Sequence, residues 1–198
     1  MCHAVPVREA VLVVPAALEQ MTKEKTQMNR NRTLRLSLAA MMVAVAVVGS
    51  MFSFPVLGSK CSPVQHMVNV VCGILLGPWY ALGAGFLAAL IRNLLGLGSL
   101  LAFPGSMCGA LLCGLAWKYS KKLLPALAGE VFGTGVIGGL LAYPVAIAFM
   151  GVSSANVAFY AYVVPFLIST VVGSIIAGAI IFALQKNGTL STIAGKLN

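Results

Sequence analysis

The pentapeptide Lys118-Tyr119-Ser120-Lys121-Lys122 decides how many times this chain crosses a bilayer. It carries three positive charges between two long apolar stretches, so the side of the membrane on which it falls fixes the parity of the spans before it. The surrounding composition leaves little but a membrane protein. Of 198 residues, 60% are hydrophobic and 9% charged, against roughly 45–50% apolar and about 25% charged in a soluble domain. Mean hydropathy is +0.97. Disordered chains, disulfide scaffolds and most soluble enzymes are excluded. The net charge of +9 would ordinarily suggest nucleic acid or an anionic surface.

A spanning helix needs about 20 apolar residues. Upstream of the basic pentapeptide, candidate spans are 36–57, 64–76, 79–95 and 101–117; downstream they are 123–150 and 157–184. The second is short and opens with polar residues, so 64–95 could be one broken span. Charge resolves the ambiguity. With six spans and the N-terminus inside, eleven of the thirteen basic residues are cytoplasmic, leaving only Lys60 and Arg92 at the outer side. Five spans would export the 118–122 cluster. The excess of Lys and Arg in cytoplasmic loops favours six spans with both termini inside the cell membrane. The expected fold class is therefore an all-α integral membrane protein of six transmembrane helices, N-in and C-in.

Three regions follow. Residues 1–35 hold nine charges and are expected to form a polar cytoplasmic arm. Met21 and Met28 are alternative starts, under which residues 1–27 would be a non-functional extension. Residues 36–185 form the six-helix membrane domain, and 186–198 a cytoplasmic tail. Small residues four apart (Ala40/Ala44, Gly105/Gly109, Gly129/Gly133, Gly135/Gly139 and Gly173/Ala177) mark faces where helices can pack closely.

Polar groups at membrane depth require a reason. Pro63-Val64-Gln65-His66-Met67-Val68-Asn69 opens the second span, with Gln65, His66 and Asn69 spaced to share a helix face. At the outer end they suit a hydrogen-bonding rim for a small polar solute, or a helix start that satisfies its own polar ends. Arg92 either donates to a ligand or snorkels to headgroups. Glu130, the sole acid after residue 24, either bridges helices or binds a ligand. Ser106 is a ligand contact or a cap. Tyr143, Asn156 and Tyr160 lie at the outer ends of the last two spans, as belt residues or as partners of a flat heterocycle. The five cysteines and two histidines have no metal-ligand spacing. No GxxxxGK[ST] phosphate loop is present, so ATP-driven work would belong to a partner.

Several motifs, taken together, carry a family resemblance. They are Pro63-Val64-Gln65-His66-x-x-Asn69, Gly73-x-Leu75-Leu76-Gly77-Pro78, Arg92-Asn93-x-x-Gly96-x-Gly98-Ser99, Leu101-Ala102-Phe103-Pro104-Gly105-Ser106, and Gly129-Glu130-x-x-Gly133-Thr134-Gly135 with Tyr143-Pro144. Residues 29–187 resemble the substrate-binding S components of energy-coupling factor (ECF) transporters, in particular the ThiW group. The resemblance implies a non-enzymatic six-helix subunit that captures a thiamine precursor, hydroxyethylthiazole, at the outer face. It implies docking onto a membrane coupling subunit served by two cytoplasmic ATPases, which use the ATP; no cofactor is expected in this chain. Ala40-Met41-Met42-Val43-Ala44 matches the docking pattern of the first helix. Expected substrate contacts are Gln65, His66, Asn69, Arg92, Ser99, Ser106, Glu130, Tyr143, Asn156 and Tyr160. The other readings are a self-sufficient solute carrier and an intramembrane serine hydrolase using Ser106 with His66.

Overall fold

A computed structural model describes residues 7–56, 59–153 and 157–197, with side chains from residue 18 onward except at 56 and 59. Helix α1 runs from Val7 to Gly49 without interruption, because no glycine or proline occurs between residues 16 and 48. The change from polar to apolar character at residue 36 is thus a change of surface along one helix. The solvated arm expected before it is helical, braced by Glu19 and Lys23 at 2.7 Å.

The first apolar stretch ends earlier than expected. After a single 3-10 turn at Ser50–Phe52, the chain forms a hairpin of β1, Phe54–Val56, and β2, Ser59–Cys61, with Phe54 opposite Cys61. Pro55 lacks the amide proton a continuing helix would need. Helix α2 then spans Pro63–Leu75, with proline in its first turn. Gly77, at φ +91°, reverses the chain into α3, Pro78–Leu94. Helix α4 spans Ala102–Ser120 and ends on Lys121 in the left-handed region.

Helices α5, Leu123–Glu130, and α6, Gly139–Met150, form one continuous rod joined by a π-helical segment over Val131–Gly138. Helix α7, Val163–Lys186, starts six residues later than residue 157. The tail is not simply polar: Gly188, at φ +67°, turns it into α8, Thr189–Leu197. Helix α8 folds back on α1, where Arg35 Nε donates to the Leu197 carbonyl at 3.0 Å.

The architecture is an all-α bundle of a multi-pass membrane protein. Among the described residues, three helical stretches, Leu18–Phe52, Leu123–Met150 and Val163–Lys186, are long and apolar enough to cross a membrane, rather than six. The shortfall has a physical origin. Helix α2 has 13 residues and is closed by Pro63 and the Gly77-Pro78 turn. At 1.5 Å per residue it is ~20 Å long, short of the ~30 Å hydrocarbon layer. It is also the central helix: Val68 and Cys72 pack towards α1 and α3, while Val70 and Ile74 join a cluster with Ala177 and Ile181 of α7. The outer helices present their apolar side chains outward, as Ile175 and Phe182 do on α7.

Glycines set the closest contacts. A Cβ on Gly129 would lie 2.8 Å from the Leu112 carbonyl, and one on Gly133 would lie 2.7 Å from that of Cys108. The rod therefore touches α4 backbone to backbone, as the small-residue spacings anticipate. Ala40 and Ala44 differ: they lie on an exposed face of α1 with Leu36, Met41 and Val48. The two ends of the bundle also differ. Arg35, Gly77, Lys118, Lys121 and Leu197 meet at one end. Lys60, Ser62, Arg92, Ser99 and Phe166 meet at the other.

Candidate functional site

The first turns of α2 bring Gln65, His66 and Asn69 into the bundle, where Gln65 and Asn69 are completely enclosed. Beneath them lies Glu130, with no exposed surface. Its Oε1 atom accepts from Asn69 Nδ2 at 3.1 Å and from Thr134 Oγ1 at 3.0 Å. His66 Nδ1 faces the same oxygen at 3.1 Å. Asn69 Nδ2 also reaches the Ser106 carbonyl at 3.3 Å, and Thr134 Oγ1 lies 3.1 Å from the Gly105 carbonyl. The carboxylate oxygen ties α2 to the rod, and Asn69 and Thr134 extend the link to the backbone of α4. Glu130 Oε2 has no hydrogen-bond partner.

The π-helical segment explains how Thr134 participates. It widens the rod at the turn that follows Glu130, the kind of local departure that re-aims side chains at functional sites. On the facing helix, Gly109 leaves the room: a Cβ there would overlap Thr134 Oγ1 and come within 2.7 Å of Glu130 Oε2.

Above this floor is a cavity of about 30 Å³, room for water rather than for a heterocycle. Gln65, His66, Arg92, Ser99 and Ser106 line it, all of them expected from the sequence. Asn69 and Glu130 adjoin it through their bonds to His66, Ser106 and Thr134. Both polar atoms of the Gln65 amide are buried without partners. That is an expensive arrangement for a group with donor and acceptor capacity. Arg92 is 3% exposed and turned into the cavity, so its guanidinium does not snorkel to headgroups. The loop after α3 folds over it: Leu97 and Gly98 donate to the Arg92 carbonyl at 2.8 and 3.0 Å. Asn93 Nδ2 pins the same loop through the Ser99 carbonyl at 3.0 Å.

Two tyrosines lie elsewhere. Tyr160 is 58% exposed and packs edge-on against Phe159, and Tyr143 is half-buried on α6 without lining the cavity. Asn156 falls outside the described residues. In their place the structure contributes Lys60, Ser62, Thr134, Phe166 and Ser169. Ser169 accepts the Ser62 amide at 3.0 Å. It stands four residues before Gly173 and eight before Ala177, so the small-residue stripe of α7 was the available signal. Lys60 and Ser62 reach the site only because the hairpin folds over the bundle.

The chemistry is that of binding. Ser106 Oγ donates to the Ala102 carbonyl at 2.7 Å, while His66 Nδ1 is engaged with Glu130. Hydrolysis would need the serine hydrogen-bonded to the base. Among the described residues, no group of three or more His, Cys, Asp or Glu could hold a metal ion.

Fold and site together define a multi-pass helical membrane protein with an internal polar cavity at one end. Residues 36–187 match the family described as thiamine-precursor transporter protein (ThiW), and the chain belongs to that family. No curated protein and no solved structure matches the chain.

Proposed function

We propose that this chain is the substrate-capture subunit of an ECF-type importer that takes up a thiamine precursor of the hydroxyethylthiazole type. In this reading the helices make six crossings with both termini cytoplasmic, and the short helices α2 and α3 are sheltered by their neighbours. The separation of the two bundle ends supports the orientation, since Lys118 and Lys121 lie at the end opposite Lys60 and Arg92. The cavity then opens towards the outside, where an importer meets its solute.

The observation that carries the reading is the buried Gln65 amide beside His66 and Asn69, with both its polar atoms unpartnered at the cavity. A small flat solute with a ring heteroatom and a hydroxyl can satisfy such a group. Gln65, His66, Arg92, Ser99 and Ser106 contact the solute, and Asn69 and Glu130 hold the floor. The narrowness of the cavity implies that the hairpin carrying Lys60 moves to admit it.

The exposed face of α1 around Ala40 and Ala44 is the docking surface for the coupling subunit, which two ATPase subunits drive from the cytoplasm. Small side chains at these two positions allow a close approach of a partner helix. The test is reconstitution. The purified chain in nanodiscs should bind labelled hydroxyethylthiazole. It should accumulate the solute in proteoliposomes only with the coupling subunit, both ATPases and ATP. Accumulation by the chain alone would identify a self-sufficient carrier instead.

A further inference from the structure

We propose that the solute carries an anionic group, of the phosphate-monoester or carboxylate class, which Arg92 and Lys60 hold at the outer part of the cavity. This inference rests on the capture reading above and deepens it. It starts from charge. Arg92 is 3% exposed, its Nε atom is buried without a partner, and its side chain faces the cavity. A buried guanidinium ordinarily sits against a carboxylate or phosphate. Among the described residues no carboxylate forms an ion pair with Arg92. The chain has four acidic residues, of which three lie at or before position 24. The fourth, Glu130, already receives Asn69, Thr134 and His66 on one oxygen.

The surroundings of Arg92 point the same way. Lys60 lines the same space from the hairpin, and no carboxylate lines it. The Ser62 hydroxyl is buried there without a partner, and Ser99 and Ser169 add hydroxyls. The N-terminal ends of α2 and α4 also border the cavity, neither with a side-chain cap. Most of their first amides are absent at proline or bonded to Ser62, Ser99 and Leu100 carbonyls, so what these ends add is the positive end of the helix dipole. The cavity is thus cationic at its outer part, and the Glu130 carboxylate lies beneath its floor, bonded to His66 and Thr134. A phosphate ester of the solute's own hydroxyl would place an anion beside Arg92 while the ring reaches Gln65 and His66. The enclosed position of Arg92 favours a solute over a lipid headgroup as the source of the anion.

The test compares two probes, hydroxyethylthiazole and its phosphate monoester, by calorimetric titration of the full chain in phosphatidylcholine nanodiscs. The parent chain should prefer the ester by about 10-fold or more. Arg92→Gln should weaken ester binding by about 10- to 100-fold, as expected for loss of a charge-assisted hydrogen bond, and weaken alcohol binding by a clearly smaller factor, so that the preference for the ester falls. Lys60→Gln, at an exposed position that does not endanger folding, should reduce the same preference. Equal or tighter binding of the alcohol by the parent chain overturns the anionic subsite and leaves the capture reading standing. If neither probe binds, both readings are overturned. Repeating the titration in phosphatidylglycerol nanodiscs separates the sources. Unchanged ester binding supports the solute, whereas its loss, with Arg92-dependent retention of phosphatidylglycerol, assigns the site to lipid.

Discussion

Glu130 Oε1 and His66 Nδ1 stand 3.1 Å apart although 64 residues separate them in the chain. The contact joins the start of α2 to the rod about two turns from its beginning at Leu123, and it lies at the floor of the cavity. It also explains why a carboxylate persists among glycines. The glycines of α4 and the rod bring the helices close enough for one oxygen to serve three donors.

Removing that carboxylate should damage the fold as well as the site. Glu130→Ala leaves Asn69, Thr134 and His66 without their common acceptor. A loss of about 1–3 kcal/mol is expected for each buried donor left unsatisfied. Glu130→Gln keeps an acceptor and should lose less. Thermal unfolding in detergent, compared across the two variants, checks the order.

Packing at Gly109 should be equally unforgiving. Gly109→Ala drives a methyl group into Thr134 Oγ1 and towards Glu130 Oε2, an overpacking expected to cost about 1–3 kcal/mol. Gly83→Ala on exposed α3 meets nothing within 4 Å and should be neutral or slightly stabilising. Melting curves for both, with solute binding measured alongside, separate a local clash from a general intolerance of alanine.

Transport and binding should come apart at α1. Ala40→Trp with Ala44→Trp adds bulk on an exposed face, away from the cavity. Solute binding by the isolated chain should be unchanged, while uptake by the complete transporter should fall at least 10-fold. Normal uptake would remove this face as the docking surface.

Cys61 reports on closure of the hairpin. It is 1% exposed, and its thiol lies 3.3 Å from the Pro165 carbonyl. Burial pushes its pKa above the usual 9.0, with the Ser169 contact opposing in part. Less thiolate is then present at any pH below that value, so alkylation should be slow at pH 8 and quicken as pH rises. A cysteine at the exposed Lys60 position should react at least 10-fold faster. Equal rates in mass spectrometric time courses would mean that the hairpin stands open.

Orientation is open to direct measurement. A cysteine at Tyr119, whose native side chain is 81% exposed, should react with a membrane-impermeant maleimide only in inverted vesicles. One at Lys60 should react only in intact cells. The reverse pattern would place the cavity on the cytoplasmic side.

Much of this was legible in the linear chain. Gly77-Pro78, Lys121-Lys122 and Gly188 each fall where a helix turns, because glycine, proline and clustered charge are local signals. The spacing of Gln65, His66 and Asn69 placed them together at the head of α2, and the loneliness of Glu130 marked it. The differences also have local causes. Tyr160 is an outward aromatic, and a sequence does not tell an outward ring from an inward one at a helix end. The polar arm expected over residues 1–35 is continuous with the first span as one helix, because no glycine or proline interrupts residues 16–48.

The sequence by itself determined the membrane class, the order of the helices, the family and most of the polar residues at the cavity. These follow from composition, periodicity and turn chemistry, which act over a few residues. Only the tertiary structure decided that His66, Asn69 and Thr134 converge on one oxygen of Glu130, that Arg92 turns inward, and that the hairpin brings Lys60 and Ser62 over the site. Those contacts join residues far apart in the chain. They depend on how closely the glycine-faced helices approach, a distance set by packing and not written in any local stretch of sequence.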